Sequence, residues 1–222
     1  MTLIIAAQGK DFIVLGSDSR ETVEPRYSPM RVEYNAAEKI VRLSNHSAVL
    51  ICGEMAQAHY IVAKFCANRE DIDSNVSDIA EAFKEFCREE ARELANVPKN
   101  PNYFPDYAFV IAGLDKGEGD VFSIPRCYAL GSTEGFRMKL GKEGFVLDGK
   151  PMLAYYLFER FYKRTDKEDP DELCKLVGQT IYDTRRIDGD VGGDLKMALI
   201  RGAEGFDWIP ETDVNDYVED QW

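Results

Sequence analysis

The sequence predicts an α+β protein, built as a four-layer α/β/β/α sandwich of two antiparallel sheets. Two observations predict it. Predicted elements run in the order strands, two helices, strands, two helices, strands, and several strands are apolar on successive residues, so both of their faces should be covered. Because no composition shift marks a boundary, we expect one domain over residues 1–210 and an acidic, disordered tail over residues 211–222.

Composition limits the possible partners. The chain has 222 residues, and 45% of them are hydrophobic, which is enough for one sizeable core. Its net charge of −13 would repel a nucleic-acid backbone and an anionic membrane surface, so we expect neither as a partner. Since no basic leader and no apolar run of membrane-spanning length is present, we expect a cytoplasmic protein.

Cysteine and histidine usage limits the possible chemistry. The five cysteines lie in apolar segments without ligand or disulfide spacing, and we expect them all to be reduced core residues: Cys52, Cys66, Cys87, Cys127 and Cys174. Only two histidines occur, His46 and His59. That leaves little material for a Ser-His-Asp triad or a metal site, so we expect chemistry that uses neither imidazole nor a metal.

Two hairpins open the predicted fold. Residues 2–7 and 12–17 are rich in apolar and β-branched side chains and are joined by a four-residue turn. Residues 39–43 and 47–53 form the second pair around a three-residue turn. Both pairs predict antiparallel strands.

The middle of the chain adds two helices and another hairpin. Apolar residues at helical spacing predict helices over residues 55–69 and 77–94. Residues 95–105 contain three prolines and predict a loop. Residues 107–114 and 120–124 then predict a hairpin.

The last third repeats the alternation. We expect a separate short strand over residues 127–131 and a helix over residues 150–164. The next helix begins after Asp169, which is followed by a proline and, two residues later, a glutamate, the pattern of a helix N-terminus. Residues 195–201 and 206–209 predict the closing strands.

A set of short motifs carries a family resemblance. They are Thr2 directly after Met1, Gly16-Ser17-Asp18-Ser19-Arg20, Glu38-Lys39-Ile40, Cys52-Gly53, Leu130-Gly131-Ser132, and Asp188 ahead of Gly192-Gly193. Each motif is weak alone, but their order and spacing resemble those of proteasome β-type subunits, which are N-terminal nucleophile (Ntn) hydrolases. The resemblance covers nearly the whole domain, and it implies the four-layer sandwich that the element order predicts independently.

Thr2 is the nucleophile that this resemblance implies. A small second residue normally allows removal of Met1, which leaves a free α-amino group beside the threonine hydroxyl. An α-amine titrates near neutral pH and is able to accept the hydroxyl proton while Oγ1 attacks a carbonyl. The alternative is that Thr2 only starts an edge strand.

Lys39, Asp18 and Arg20 are the charged residues of the implied site. A cation near Thr2 would lower the proton affinity of its amine and hydroxyl, and Asp18 resembles the carboxylate that holds this lysine. Arg20 is expected to brace the same loop. In the alternative interpretation, Asp18 and Lys39 are ordinary surface residues at a turn and a strand start.

Three further positions match the family, and one departs from it. Gly53 resembles the glycine whose N–H stabilises the oxyanion, while Ser132 and Asp188 resemble residues that orient the amine. The family usually has a serine immediately before the paired glycines, but this chain has Val191. The departure leaves the fold intact and removes one hydroxyl from the network around the amine.

The resemblance also implies a substrate pocket. Four residues match positions of an apolar pocket for the residue before the cleaved bond: Ala37, Val41, Ile51 and Met55. Glu21 and His59 match its rim, and Thr22 matches a residue whose backbone pairs with an extended substrate. Core packing is the competing explanation for the apolar four.

Three functions remain open from the sequence. The first is a threonine endopeptidase that cuts unfolded polypeptide or peptides without a metal or cofactor, inside a homo- or hetero-oligomeric ring with possible α-type subunits and an ATP-dependent unfoldase. The second is a standalone peptidase or peptide ligase. The third is a non-catalytic structural ring subunit.

Overall fold

A computed structural model describes residues 2–23, 32–69, 74–95, 106–141, 143–149 and 152–218. Its strands are β1 (Leu3–Gln8), β2 (Phe12–Ser17), β3 (Glu21–Val23), β4 (Val32–Tyr34), β5 (Ile40–Ser44), β6 (Ser47–Gly53), β7 (Tyr107–Lys116), β8 (Phe122–Gly131), β9 (Lys139–Leu140), β10 (Phe145–Gly149), β11 (Lys196–Arg201) and β12 (Gly205–Trp208). The helices are α1 (Met55–Ala67), α2 (Val76–Ala95), α3 (Met152–Tyr162), α4 (Pro170–Ile187) and α5 (Glu211–Val218).

Two five-stranded sheets form the centre of the fold. The first has the strand order β10-β1-β2-β11-β12 and the second β5-β6-β7-β8-β9, with antiparallel pairing throughout. Side chains from both sheets, such as Ile4, Leu50 and Val110, form a core between them. Helices α1 and α2 cover the outer face of the second sheet, and α3 and α4 cover that of the first. The four-layer α/β/β/α sandwich is therefore confirmed.

Alternation along β1 shows how the sequence specifies these layers. Ile4 and Ala6 face the core between the sheets, while Leu3 and Ile5 pack in the cluster under α3 and α4. All four side chains are fully buried. A strand that is apolar on successive residues is thus covered on both faces, as its pattern predicts.

The hairpins and the first four helices are confirmed to within a few residues. At the start of α4, the Asp169 carboxylate accepts hydrogen bonds from Asp171 N (2.9 Å) and Glu172 N (3.4 Å). It thereby satisfies two of the amides that a helix N-terminus leaves without intrahelical partners.

One predicted strand boundary is wrong. Residues 120–124 and 127–131 were expected to form two strands, but β8 runs unbroken through Pro125. Strand β8 pairs with β7 along this stretch, whereas β9 pairs only with Tyr128 and Ala129. Pro125 therefore lies where β8 has a neighbour on one side only, a position at which a missing N–H is tolerated.

Two other expectations are wrong. Residues 211–218 of the acidic tail, which was expected to be disordered, form α5, and Val214 packs into the core beneath α4. Cys66 is exposed on α1, although the other four cysteines are buried as predicted. Strands β3, β4, β9 and β10 have no counterpart in the sequence prediction.

Some predictions fall outside the described residues. These are the fate of Met1 and the loop at residues 96–105; residue 95 ends α2. Within the described ranges, none of the helices has the length and apolarity needed to cross a membrane.

Candidate active site

A buried ion pair joins the two sheets at one end of the sandwich. Lys39 Nζ donates to Asp18 Oδ1 over 2.8 Å and to the carbonyl oxygen of Arg20 over 2.6 Å. The Lys39 side chain is 0% exposed and the Asp18 side chain 2%. Asp18 follows β2 in the first sheet and Lys39 precedes β5 in the second, so this pair bridges the gap between the sheets.

The Asp18 carboxylate is also bound by backbone amides. Oδ1 accepts from Leu3 N (2.9 Å), and Oδ2 accepts from Gly192 N (3.0 Å) and Arg20 N (3.3 Å). Asp18 Oδ1 therefore accepts hydrogen bonds from both the Lys39 ammonium and the first backbone amide of β1. This shared acceptor fixes the beginning of the chain beside the cation.

Burial changes the proton affinity of the lysine. Desolvation lowers the pKa of Lys39 below its usual range, and the Asp18 carboxylate partly offsets this effect. An ammonium with a lowered pKa and two acceptors is held in one position, which suits a group that polarises a neighbour.

Thr2 lies at the start of β1, next to this pair. It is 4% exposed, and strand alternation places it on the same face as Ile4, which points into the core between the sheets. In the second sheet, Ile51 N of β6 donates to Lys39 O over 2.8 Å. Thr2 and Lys39 lie at the same edge of the sandwich, because Asp18 Oδ1 accepts hydrogen bonds from both Leu3 N and Lys39 Nζ.

Gly53 ends β6 in a conformation that requires glycine. Its φ is +89°, and a Cβ atom there would lie 2.2 Å from the backbone oxygen of Asp106. Gly53 is exposed, and α1 begins two residues later at Met55. Its backbone is thus open to solvent just before a helix N-terminus, where negative charge is favoured.

The end of β10 is the part of this region that the sequence prediction missed. Gly149 lies opposite Leu3 with a φ of +105°, and a Cβ atom on it would be 1.8 Å from Thr2 O. Asp148 precedes it, is half-buried, and accepts from Gly149 N over 2.6 Å. An Asp-Gly pair follows an apolar run here and is a turn signal in the sequence, but nothing local indicates that this run pairs with β1.

Comparison with known protein families identifies the family of this chain. The family described as Proteasome subunit matches residues 2–200, about nine-tenths of the chain. The chain belongs to the proteasome subunit family.

A curated protein and a solved structure illustrate the extent of the likeness. A proteasome subunit beta from Picrophilus torridus is 23% identical over 215 residues, covering 96% of this chain and 91% of the relative. A solved structure of the Anbu (Gly-1) mutant from Hyphomicrobium sp. strain MC1 has a TM-score of 0.68 at 16% identity, covering 95% of this chain and 86% of the other. The structural likeness shows the Ntn-hydrolase sandwich.

The two residues that the family resemblance pointed to around the amine, Asp188 and Ser132, lie on different elements. Asp188 follows α4, and its Oδ1 accepts from Asp190 N over 2.9 Å. Arg20 braces this loop, because its Nη1 donates to Gly189 O over 2.6 Å. Ser132 follows β8, and its Oγ accepts from Tyr107 N over 3.1 Å. Asp188 and Arg20 thus shape one loop, whereas Ser132 caps the neighbouring strand β7.

Val191 takes the place of the serine usual in the proteasome family. It is fully buried in the cluster beneath α3 and α4, and its N–H donates to Asp188 O over 3.1 Å. An apolar side chain held in the core offers no hydrogen bond to an amine. The chain therefore differs from the family pattern at the loop that also supplies Gly192 N to Asp18.

The four apolar pocket residues lie in one cluster. Ile51 and Met55 are buried, and Ala37 and Val41 are partly buried against them. Ala37 also lines an open groove of about 420 Å³ whose wall includes Lys39 and Trp208. All four therefore pack in or against the core, and a role for them in a substrate pocket stays a prediction.

The expected rim and backbone-pairing residues lie on two other elements. Glu21 and Thr22 are in β3, paired with β4, and His59 is half-buried on α1.

Gly53→Ala is expected to lower the free energy of unfolding by roughly 1–3 kcal/mol. The added Cβ combines an unfavourable φ with a contact to backbone, and backbone moves less readily than a side chain. Urea unfolding followed by circular dichroism measures the loss.

Gly119→Ala is the matched control for this change. Its φ is +74°, but nothing lies within 4 Å of the added Cβ, so it reports the cost of φ alone. Equal losses in the two variants would contradict the proposed close approach at Gly53.

Proposed function

We propose that this protein is a threonine-type endopeptidase subunit of a proteasome-like ring, with Thr2 as its nucleophile after removal of Met1. The observation that carries the proposal is the shared acceptor: Lys39 Nζ and Leu3 N both bind Asp18 Oδ1. This arrangement holds the residue after Met1 beside a buried ammonium, as a nucleophile at the chain start requires.

The proposed reaction proceeds through an acyl-enzyme ester on Thr2. The α-amine of Thr2 takes the hydroxyl proton as Oγ1 bonds to the substrate carbonyl carbon, and Gly53 N–H stabilises the resulting oxyanion. When the tetrahedral intermediate collapses, the C–N bond breaks and the leaving amine takes the proton. Water then attacks the ester, releases the second product and restores the Thr2 hydroxyl.

The chemistry of this site indicates its substrates and setting. An ester on Thr2 accepts acyl groups from unfolded polypeptide or from peptides, and the half-buried apolar side chains near Lys39 favour an apolar residue before the cleaved bond. Family membership supports assembly into a homo- or hetero-oligomeric ring, with α-type subunits and an ATP-dependent unfoldase as candidate partners, in the cytoplasm.

Val191 favours a second candidate, a peptidase or peptide ligase outside the degradation machine. With one hydroxyl fewer around the amine, water activation at the ester is less well organised, and an incoming amine competes better. Incubation with peptide and a competing amine distinguishes the two, because only the ligase gives a joined product in good yield.

Mass spectrometry tests the main proposal. The native assembly should have a ring stoichiometry, and the denatured subunit should lack Met1 and gain one adduct on Thr2 from a threonine-directed electrophile. A subunit that retains Met1 and stays unlabelled would instead support a non-catalytic structural role.

A further inference from the structure

Asp148 is a carboxylate that strand register directs into the active-site edge. It pairs with Ile4, and paired residues on neighbouring strands present their side chains to the same face. Ile4 points into the core between the sheets, and so does Val146, two residues before Asp148. Asp148 therefore continues the inward face of β10 at the open end of the sandwich.

The backbone of β1 directs the amine of Thr2 toward the same strand. Leu3 N donates to Asp18, and Leu3 O accepts from Asp18 N over 3.2 Å, so both polar groups of Leu3 point away from β10. Backbone polar groups alternate in direction along a strand, so those of Thr2 point toward β10. A Cβ atom added to Gly149 would lie 1.8 Å from Thr2 O, which agrees with this direction.

Among the described residues, the groups that act on the Asp148 carboxyl are Gly149, Cys52, Asp106 and Glu134, and none of them is a cation. Burial raises the pKa of Asp148 and the charges of Asp106 and Glu134 add to the rise, whereas hydrogen bonds from the Gly149 N–H and the Cys52 thiol oppose it. Cys52 lies within electrostatic reach of both Asp148 and Lys39, and burial raises the pKa of its thiol. Lys39 itself is committed to Asp18 and Arg20 O. A half-buried carboxylate in such surroundings gains from a cation.

We propose that Asp148 is a positioning residue whose carboxylate binds the liberated α-ammonium of Thr2 and holds it on the side of the residue opposite Asp18. It would supply a polar group in place of the serine hydroxyl that is absent at Val191. This inference rests on the proposed function, because the ammonium exists at Thr2 only after Met1 is removed.

Asp148→Asn tests the inference, since asparagine retains an oxygen for Gly149 N, removes the negative charge and replaces the second carboxylate oxygen by an amide NH2 group. We expect kcat to fall about tenfold to a hundredfold while KM stays within about twofold. A carboxylate raises the pKa of a neighbouring amine, so its loss should move the acidic limb of the pH profile for Thr2 labelling to lower pH, by on the order of one unit.

Glu134→Gln is the matched control. It removes a carboxylate that also acts on Asp148 but is half exposed and paired with Lys139 over 2.6 Å. We expect its labelling rate and pH profile to stay within about twofold of the wild type. A thermal melt of each variant checks folding, and Asp148→Ser, which also removes the charge, replaces Asp148→Asn if the latter is unfolded.

The outcomes separate this inference from the proposed function. Wild-type protein that retains Met1 and resists labelling overturns both. Labelled wild-type protein with an unchanged pH profile in Asp148→Asn overturns the role of Asp148 alone. An equal shift in Glu134→Gln also overturns it, because the effect would then be one of general charge.

Discussion

Thr2→Ala is expected to abolish peptide hydrolysis and electrophile labelling, with a loss of at least about a thousandfold. Alanine is also a small second residue, so Met1 should be removed as in the wild type and only the hydroxyl and one methyl group are lost. Because Thr2 is 4% exposed, the small cavity should cost about 1 kcal/mol of stability, too little to unfold the protein. On one sample, the intact mass reports removal of Met1, a peptide-hydrolysis assay measures the loss of activity, and electrophile labelling measures the loss of the nucleophile.

Thr2→Ser is the control, because it keeps a hydroxyl on the residue that carries the amine. We expect it to retain labelling at the same position. Hydrolysis that survives in Thr2→Ala would place the nucleophile elsewhere, and Thr2 would then be an ordinary strand residue.

Long, strongly patterned elements were predictable from the sequence. The first hairpin follows from two apolar runs around a polar turn, and α4 from the Asp169 cap ahead of Pro170. In both cases the residues that determine the element are close together in the chain. Local sequence chemistry is then sufficient to predict the element.

Short strands were not predictable, because pairing partners far away in the chain stabilise them. Strand β10 has five residues and pairs with β1, more than a hundred residues earlier, while β9 forms only two residue pairs with β8. Strand β8 shows the opposite error, a long strand that was predicted as two short ones. Pro125 interrupts the sequence pattern, but the residues on both sides of it pair with β7.

The same distinction applies to the candidate site. The family resemblance drew attention to Asp18 and Lys39, and the structure brings their side chains together. Asp148 carried no such signal, because its importance depends on pairing with Ile4, and register is a property of the folded sheet. Val191, by contrast, was visible in the sequence as a departure from the family pattern.

Asp18→Asn is expected to lower the free energy of unfolding by about 3–5 kcal/mol, the second large effect. The change leaves the buried ammonium of Lys39 without its counter-charge, and the new amide group faces the N–H donors of Gly192 and Arg20. Urea unfolding at fixed protomer concentration measures the loss. Asp11→Asn, an exposed carboxylate in the first turn, is the control and should change stability by less than about 0.5 kcal/mol.

Lys39→Met should cost less than Asp18→Asn, because the remaining carboxylate keeps three backbone N–H donors. The double variant should lose less than the sum of the single losses, since the two side chains stabilise each other. Burial lowers the pKa of Lys39, so at high pH the unfolded chain holds a proton that the folded protein has released. Stability should therefore rise with pH between the folded and unfolded pKa values of this lysine, and Lys39→Met should remove that rise. Additive losses together with an unchanged pH slope would show that the two side chains are not coupled.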